Sequence, residues 1–200
     1  ISTGETVIAG AGQNYSLRGR NTLKTISYSG GSGGSGNAPI SPLSFSAGTT
    51  FIIPANTYSR AGYLFNGWSD GATTYLPGAT YPSSGTANEN VTLTAQWTIS
   101  TYLVSFDANG GTGSVPGEQT KTHGVDLTLA SNSGSLVRTG YTFGGWNTAA
   151  GGSGTSYAVG ASYGVDAAVT LYAKWTGNSL TVTYDSQEGS SATGGSLSTT

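Results

Sequence analysis

One aromatic motif recurs in this chain at a fixed distance, and the recurrence limits what the chain can fold into. Gly62–Trp68 reads GYLFNGW, and Gly140–Trp146 reads GYTFGGW. A second tryptophan closes each copy, in the runs Val91–Trp97 and Val169–Trp175, and the spacing from Trp97 to Trp175 equals that from Trp68 to Trp146. A long constant period means that one small structural unit is repeated. The period accommodates two complete units, 22–99 and 100–177, flanked by incomplete repeats at 1–21 and 178–200. Units this small bury little surface, so large rings must supply most of each core. The signature aromatics Tyr63, Phe65, Trp68 and Trp97, with Tyr141, Phe143, Trp146 and Trp175 in the second copy, are expected to fill the two cores.

Local periodicity is that of strands. Lys24–Tyr28 alternates polar and apolar residues, and the pattern returns at Tyr102–Asp107 and a third time at Leu180–Asp185. Val91, Leu93, Ala95 and Trp97 fall on one face of a closing strand, as do Val169, Leu171, Ala173 and Trp175. Mid-unit apolar runs occur at Phe51–Ile53 and Leu127–Leu129. Pro39, Pro42, Pro54 and the abundant glycine leave room there for a strand, then a turn or at most a short helix. Asn109-Gly110 marks a tight turn, and the pair Gly144-Gly145 marks a bulge before Trp146. Tyr75–Tyr81 and Tyr157–Tyr163 are related segments that lie further apart than the tryptophans do, which places a four-residue insertion before Tyr157. Surface connections absorb such changes, which makes Tyr75, Tyr81, Tyr157 and Tyr163 candidate surface contacts. The expected fold class is mainly β, each unit a twisted sheet.

Composition excludes several functions. Charged residues make up 8% of the chain, the net charge is −2, and the seven Lys and Arg are scattered, so no electrostatic footprint for nucleic acid or anionic lipid exists. There is no cysteine, hence no disulfide or thiolate metal site. No apolar run approaches the ~20 residues that span a bilayer, so no membrane insertion is expected in this segment. The absent initiator methionine points to processing or to a fragment.

Catalysis needs positioned titratable groups. The single histidine, His123, has Lys121 and Asp126 nearby, but the first unit has no histidine at all, so neither catalytic residues nor a cofactor are expected. Asp107–Gly110 begins like a calcium loop and lacks its later ligands, so it reads as a turn. Asp185 and Glu188 could hold a weak cation with backbone carbonyls, a reading that no further ligand in the sequence supports, so no metal is expected. Gly30–Gly36 is followed by no lysine or helix and is a connector rather than a phosphate loop. Lys24, Lys121 and Lys174 are potential isopeptide donors for which spacing selects no asparagine partner, and Asn14 and Asn90 open glycosylation sequons.

With these residues assembled, the succession of strand, Asp107–Gly111, Arg138–Trp146 and Leu171–Trp175 is similar to the Listeria–Bacteroides repeat, the B-repeat of internalin-type surface proteins. The resemblance is close over 101–176 and looser over 22–98, where Ser29-Gly30 stands in place of the aspartate step. It implies a β-grasp-like (ubiquitin-like, α+β) sheet, an extracellular or cell-surface setting in bacteria, and service as a spacer, adhesive or partner-binding module without enzyme activity. The alternative within that setting is a carbohydrate- or protein-binding module that meets a host or glycan surface through the loop tyrosines.

The two ends carry a further expectation. Leu180, Val182 and Tyr184 would form the first strand of a third unit, while Val7, Ile8 and Ala9 lie in a segment similar to what should follow it. Tail and head of neighbouring chains could then complete each other's sheets by strand addition, which builds an open filament head to tail. The plainer expectation is a piece of a longer tandem array.

Overall fold

The computed structural model describes residues 23–40, 43–46, 50–81, 90–183 and 196–197. The chain divides into two compact units, Ile1–Thr98 and Ile99–Thr200. In the first, the strands are β1 (Leu23–Ser29), β2 (Leu43–Ser46), β3 (Phe51–Ile52), β4 (Tyr63–Ser69), β5 (Thr74–Tyr75), β6 (Thr80–Tyr81) and β7 (Asn90–Ile99). Five of them form a sheet in the order β2-β1-β7-β4-β5, and β3 pairs with β6 as a separate two-stranded ribbon. β1 and β7 run parallel, with Ile26 beside Val91 and Tyr28 beside Leu93. A parallel pair needs a long crossover, and the ribbon lies within it. Ile26, Tyr28, Leu93 and Ala95 are buried on the inward face of β1 and β7, where they join Trp68, Ile53 and Tyr81.

The second unit repeats this plan with β8 (Thr101–Asp107), β9 (Gln119–Thr122), β10 (Leu127–Thr128), β11 (Tyr141–Asn147), β12 (Ser156–Tyr157), β13 (Ser162–Tyr163) and β14 (Val169–Gly177). Its sheet order is β12-β11-β14-β8-β9, with β8 parallel to β14, and β10 pairs with β13 as the ribbon. Val104, Phe106, Leu129, Leu136, Trp146, Leu171 and Ala173 form its core, together with Tyr163. The expected mainly-β class is what the chain adopts. No helix occurs among the described residues, and the two ribbons occupy the stretch where a short helix was allowed for.

Backbone geometry follows the glycines. Phe143 faces Trp175 and Trp146 faces Ala173, so Gly144 and Gly145 together oppose Lys174 in a bulge. Gly145 has φ 103° and Gly67, its counterpart, φ 121°, values that only glycine adopts without strain. At the tight turn, Asn109 (φ 46°) and Gly110 (φ 80°) are both left-handed, and the Asn109 N–H donates to Asp107 Oδ1 at 2.7 Å.

Several expectations need correction. Tyr81 and Tyr163 are not surface contacts but core residues, 6% and 2% exposed. Each sits on a ribbon strand beside an apolar partner, Phe51 or Leu127, on the side that closes over the sheet. Tyr75 and Tyr157 are half-buried cross-strand partners of Trp68 and Trp146 rather than free loop residues. Tyr63 and Tyr141 leave the core: they start β4 and β11 at the rim, Tyr63 half-buried and Tyr141 exposed. The third copy of the first strand is confined to β15 (Leu180–Thr181), which pairs antiparallel with β16 (Ser196–Leu197), as β8 pairs with β9. Val7, Ile8, Ala9 and Tyr184 lie outside the described residues.

Candidate functional site

The four indoles are fastened in two equivalent ways. Trp68 Nε1 donates to Pro54 O at 3.2 Å and Trp146 Nε1 to Ala130 O at 2.9 Å, so both buried rings satisfy their one polar atom on the segment leaving the ribbon. Trp97 and Trp175 are half-buried at the far end of the closing strand. Their Nε1 groups donate to Gly30 O at 2.8 Å and Ala108 O at 3.0 Å, which ties the closing strand to the loop after the first. Phe65 and Phe143 stand edge-on between the two tryptophans of their unit, with centroids 5.1–5.7 Å away. Such pairs each add about 0.5–1.5 kcal/mol beyond the area they bury. The rim tyrosines serve as platforms for arginine: Arg60 lies 3.6 Å over Tyr63 and Arg138 4.2 Å over Tyr141.

Polar features, by contrast, differ between the units. In the first, Asp70 Oδ1 accepts the Thr73 and Ala72 N–H groups, and Oδ2 accepts the Tyr75 and Tyr81 hydroxyls at 3.0 and 3.5 Å. The Thr73 N–H above all, then that of Ala72 and the two hydroxyls, hold its carboxyl below the usual carboxylate range. In the second, Lys121 is fully buried on β9 and its Nζ lies 2.5 Å from Asp166 Oδ1. Asp166 Oδ2 is 2.7 Å from His123 Nδ1, and the Gly124 N–H reaches both carboxylate oxygens at 3.1 Å. Lys121 first, then Gly124 and His123, lower the pKa of Asp166.

This cluster was not read from the sequence, which paired His123 and Lys121 with Asp126. Asp126 instead accepts a hydrogen bond from Ser162 Oγ. The group is an ion-pair cluster in which Lys121 is fully buried while Asp166 and His123 stay partly exposed. Among the described residues no three His, Asp or Glu side chains converge as a metal site.

A half-open cleft of about 210 Å³ lies in the second unit. Its walls are the turn residue Asn109, Arg138, Lys174 and Trp175, closed by the inserted loop Ala149–Gly152. Asn147 shapes that loop from a buried position. Its Oδ1 accepts the Ala149 and Gly154 N–H groups, while Nδ2 donates to Gly152 O, Gly154 O and Ser156 Oγ. Asn109 Nδ2 donates to Ala150 O and Ala173 O at 2.9 and 3.0 Å, pinning the loop to the turn. The sequence signalled this place only through the four-residue insertion.

Comparison with known proteins agrees with the repeated geometry. The Listeria-Bacteroides repeat domain matches residues 25–96 and again residues 102–174. A protein of Evansella cellulosilytica named as a Gly-rich membrane protein is 33% identical over 173 residues, covering 83% of this chain and 20% of its own length. A second membrane protein of that organism is 40% identical over 93 residues, 46% of this chain and 14% of its own. Internalin H of Listeria monocytogenes is 32% identical over 124 residues, 60% of this chain and 20% of its own. The chain therefore spans a fifth or less of these relatives, and among its described residues no helix is long and apolar enough to cross a membrane. With two matches that fall on the two structural units, this chain belongs to the Listeria-Bacteroides repeat domain family.

Proposed function

We propose that the chain is a non-enzymatic segment of a bacterial surface stalk, in which each unit is a force-bearing spacer. The supporting observation is which features coincide between units. The indole hydrogen bonds, the aromatic triads and the arginine platforms all recur, whereas each cluster of titratable groups among the described residues is confined to one unit. What is duplicated is mechanical. The chain enters a unit through β1 and leaves through β7, adjacent parallel strands in the middle of the sheet, and β8 and β14 repeat this. Tension along the chain then loads one ladder in shear, so its hydrogen bonds resist together instead of opening one at a time.

Pulling single molecules by the termini tests this. Two unfolding events of similar force are expected, each releasing on the order of 240 Å of chain for a unit the length of 100–177. Release of both units without a resolvable force would overturn the spacer reading.

A second reading, head-to-tail polymerisation, is favoured by one position. Val182 is 38% exposed, whereas Val104, its counterpart on β8, is fully buried beside β14. A closing strand supplied by a neighbouring chain would cover it. Sedimentation over a wide concentration range should then show growing species that shift when Val182 is changed to Asp. A monomer at every concentration excludes the filament and leaves the tandem-array spacer intact.

A further inference from the structure

We propose that the cleft of the second unit binds an acidic saccharide, holding one carboxylate-bearing sugar ring. Two cations, Arg138 and Lys174, line it, and no carboxylate does among the described residues. Among those residues neither cation is paired with an acid: Arg138 lies over the Tyr141 ring, and Lys174 Nζ is 3.2 Å from Ser156 Oγ. The acid nearest in sequence to the lining, Asp107, is turned to the Asn109 N–H. A negative charge entering the cleft therefore meets two positive groups, one of them a planar fork suited to carboxylate.

The rest of the lining suits a sugar better than a peptide. Trp175 supplies an apolar flank, while the Asn109 side-chain carbonyl and the backbone of Gly151 on the exposed stretch Ala150–Gly152 supply hydroxyl partners. A peptide would need a strand edge or a long groove. Lys174 and Trp175 lie on β14, which is flanked by β8 and β11, so no edge faces the cleft. At about 210 Å³ the space is smaller than a drug-sized pocket and fits a single ring.

The first unit is a natural control. Arg60 and Trp97 persist there, but Gln96 stands at the position of Lys174, Gly31 at that of Asn109 and Ser69 at that of Asn147, and the loop is four residues shorter. The same fold thus exists with a different set of residues at these positions, and Lys174→Gln is a substitution the fold already carries in its other copy. This inference does not depend on the spacer reading.

The test is an amide and indole NMR titration of the intact chain with glucuronate, glucose, acetate and a short oligoglutamate. Glucuronate is expected to shift Asn109, Ala150, Gly151 and the Trp175 indole N–H saturably, with a millimolar midpoint typical of so small a ligand. Signals of the first unit should stay in place. Lys174→Gln should raise the midpoint roughly threefold without moving the remaining spectrum, as expected for one partly solvated charge pair. The proposal is overturned if glucose binds as well as glucuronate, since charge is then not read. Acetate matching glucuronate overturns it because the ring is not read, and tighter oligoglutamate because the partner is then a protein. Absence of saturation up to about 100 mM overturns it outright.

Discussion

Tyr28 shows how one atom can be out of place in an otherwise duplicated core. It occupies the position of Phe106, is buried, and its hydroxyl has no hydrogen-bond partner among the described residues. A buried polar group left unsatisfied costs about 1–3 kcal/mol, so Tyr28→Phe, which keeps the ring and removes only the hydroxyl, should stabilise the first unit by about 1 kcal/mol once the packing contacts of the lost oxygen are counted. Burial also pushes the Tyr28 hydroxyl up to about 12 from an ordinary 10.0. Above its ordinary value the unfolded chain gives up this proton while the folded chain keeps it, so stability present at lower pH is lost as pH rises from 10 towards 12. Thermal melts of both proteins at mild and strongly alkaline pH should show a smaller alkaline loss in the variant. Gly145 illustrates the opposite constraint. At φ 103° an added Cβ would fall onto the carbonyl oxygen of Tyr157 across the bulge. Gly145→Ala should therefore destabilise the second unit by about 3 kcal/mol or more, and a melting midpoint unchanged by the substitution would refute the close approach.

The strand β9 carries the clearest difference between what residues announce and what they do. Its sequence, QTKT, is polar throughout, yet its alternation turns Lys121 inward at the register position that Phe45 holds opposite Lys24 in the first unit. An ammonium there is tolerable only because Asp166 and the Thr122 carbonyl receive it. The two partners are unequal: Lys121 is fully buried and Asp166 still reaches water. Removing the carboxylate by Asp166→Ala strands a buried charge and should lower the second unit's melting temperature far more than Lys121→Met, which leaves an acid that can hydrate. The folded carboxyl titrates below its ordinary value, so its contribution is present above that value and disappears as pH falls through the folded pKa. Lys121→Met should flatten that acid limb of a pH-dependent melt. The long strands β7 and β14 were legible because each alternates apolar residues with polar ones, and β4 and β11 because Tyr, Phe and Trp recur in them at spacings of two and three. β9 was not, since its inward Lys121 does not look like a core residue. Tyr81 and Tyr163 were misplaced because an indel in the loop before them was taken to make the whole neighbourhood surface. The cleft escaped because it depends on Asn109, Asn147 and the inserted loop meeting across the sheet, and no local pattern records that.

Across the whole chain, the two described cores share no residue: one is built on Ile26, Trp68 and Leu93, the other on Val104, Trp146 and Leu171. Their recurrence at one constant spacing means that stability is assembled unit by unit, as in other repeat proteins, with each sheet closed by its own aromatic triad. A unit of this size holds only a few kcal/mol in reserve, and truncating a buried tryptophan to alanine costs about 3–5 kcal/mol. Trp146→Ala should thus unfold the second unit at room temperature and spare the first. The spectral signature is separable because the side chains report locally. NMR signals of Trp68 and Trp97 indole N–H groups should remain dispersed, while that of Trp175 collapses towards the unfolded position. Trp68→Ala should give the mirror result. If either substitution collapsed all the remaining indole signals together, the units would be one cooperative body rather than two independently closed sheets, and the additive view of a spacer array would fail with it.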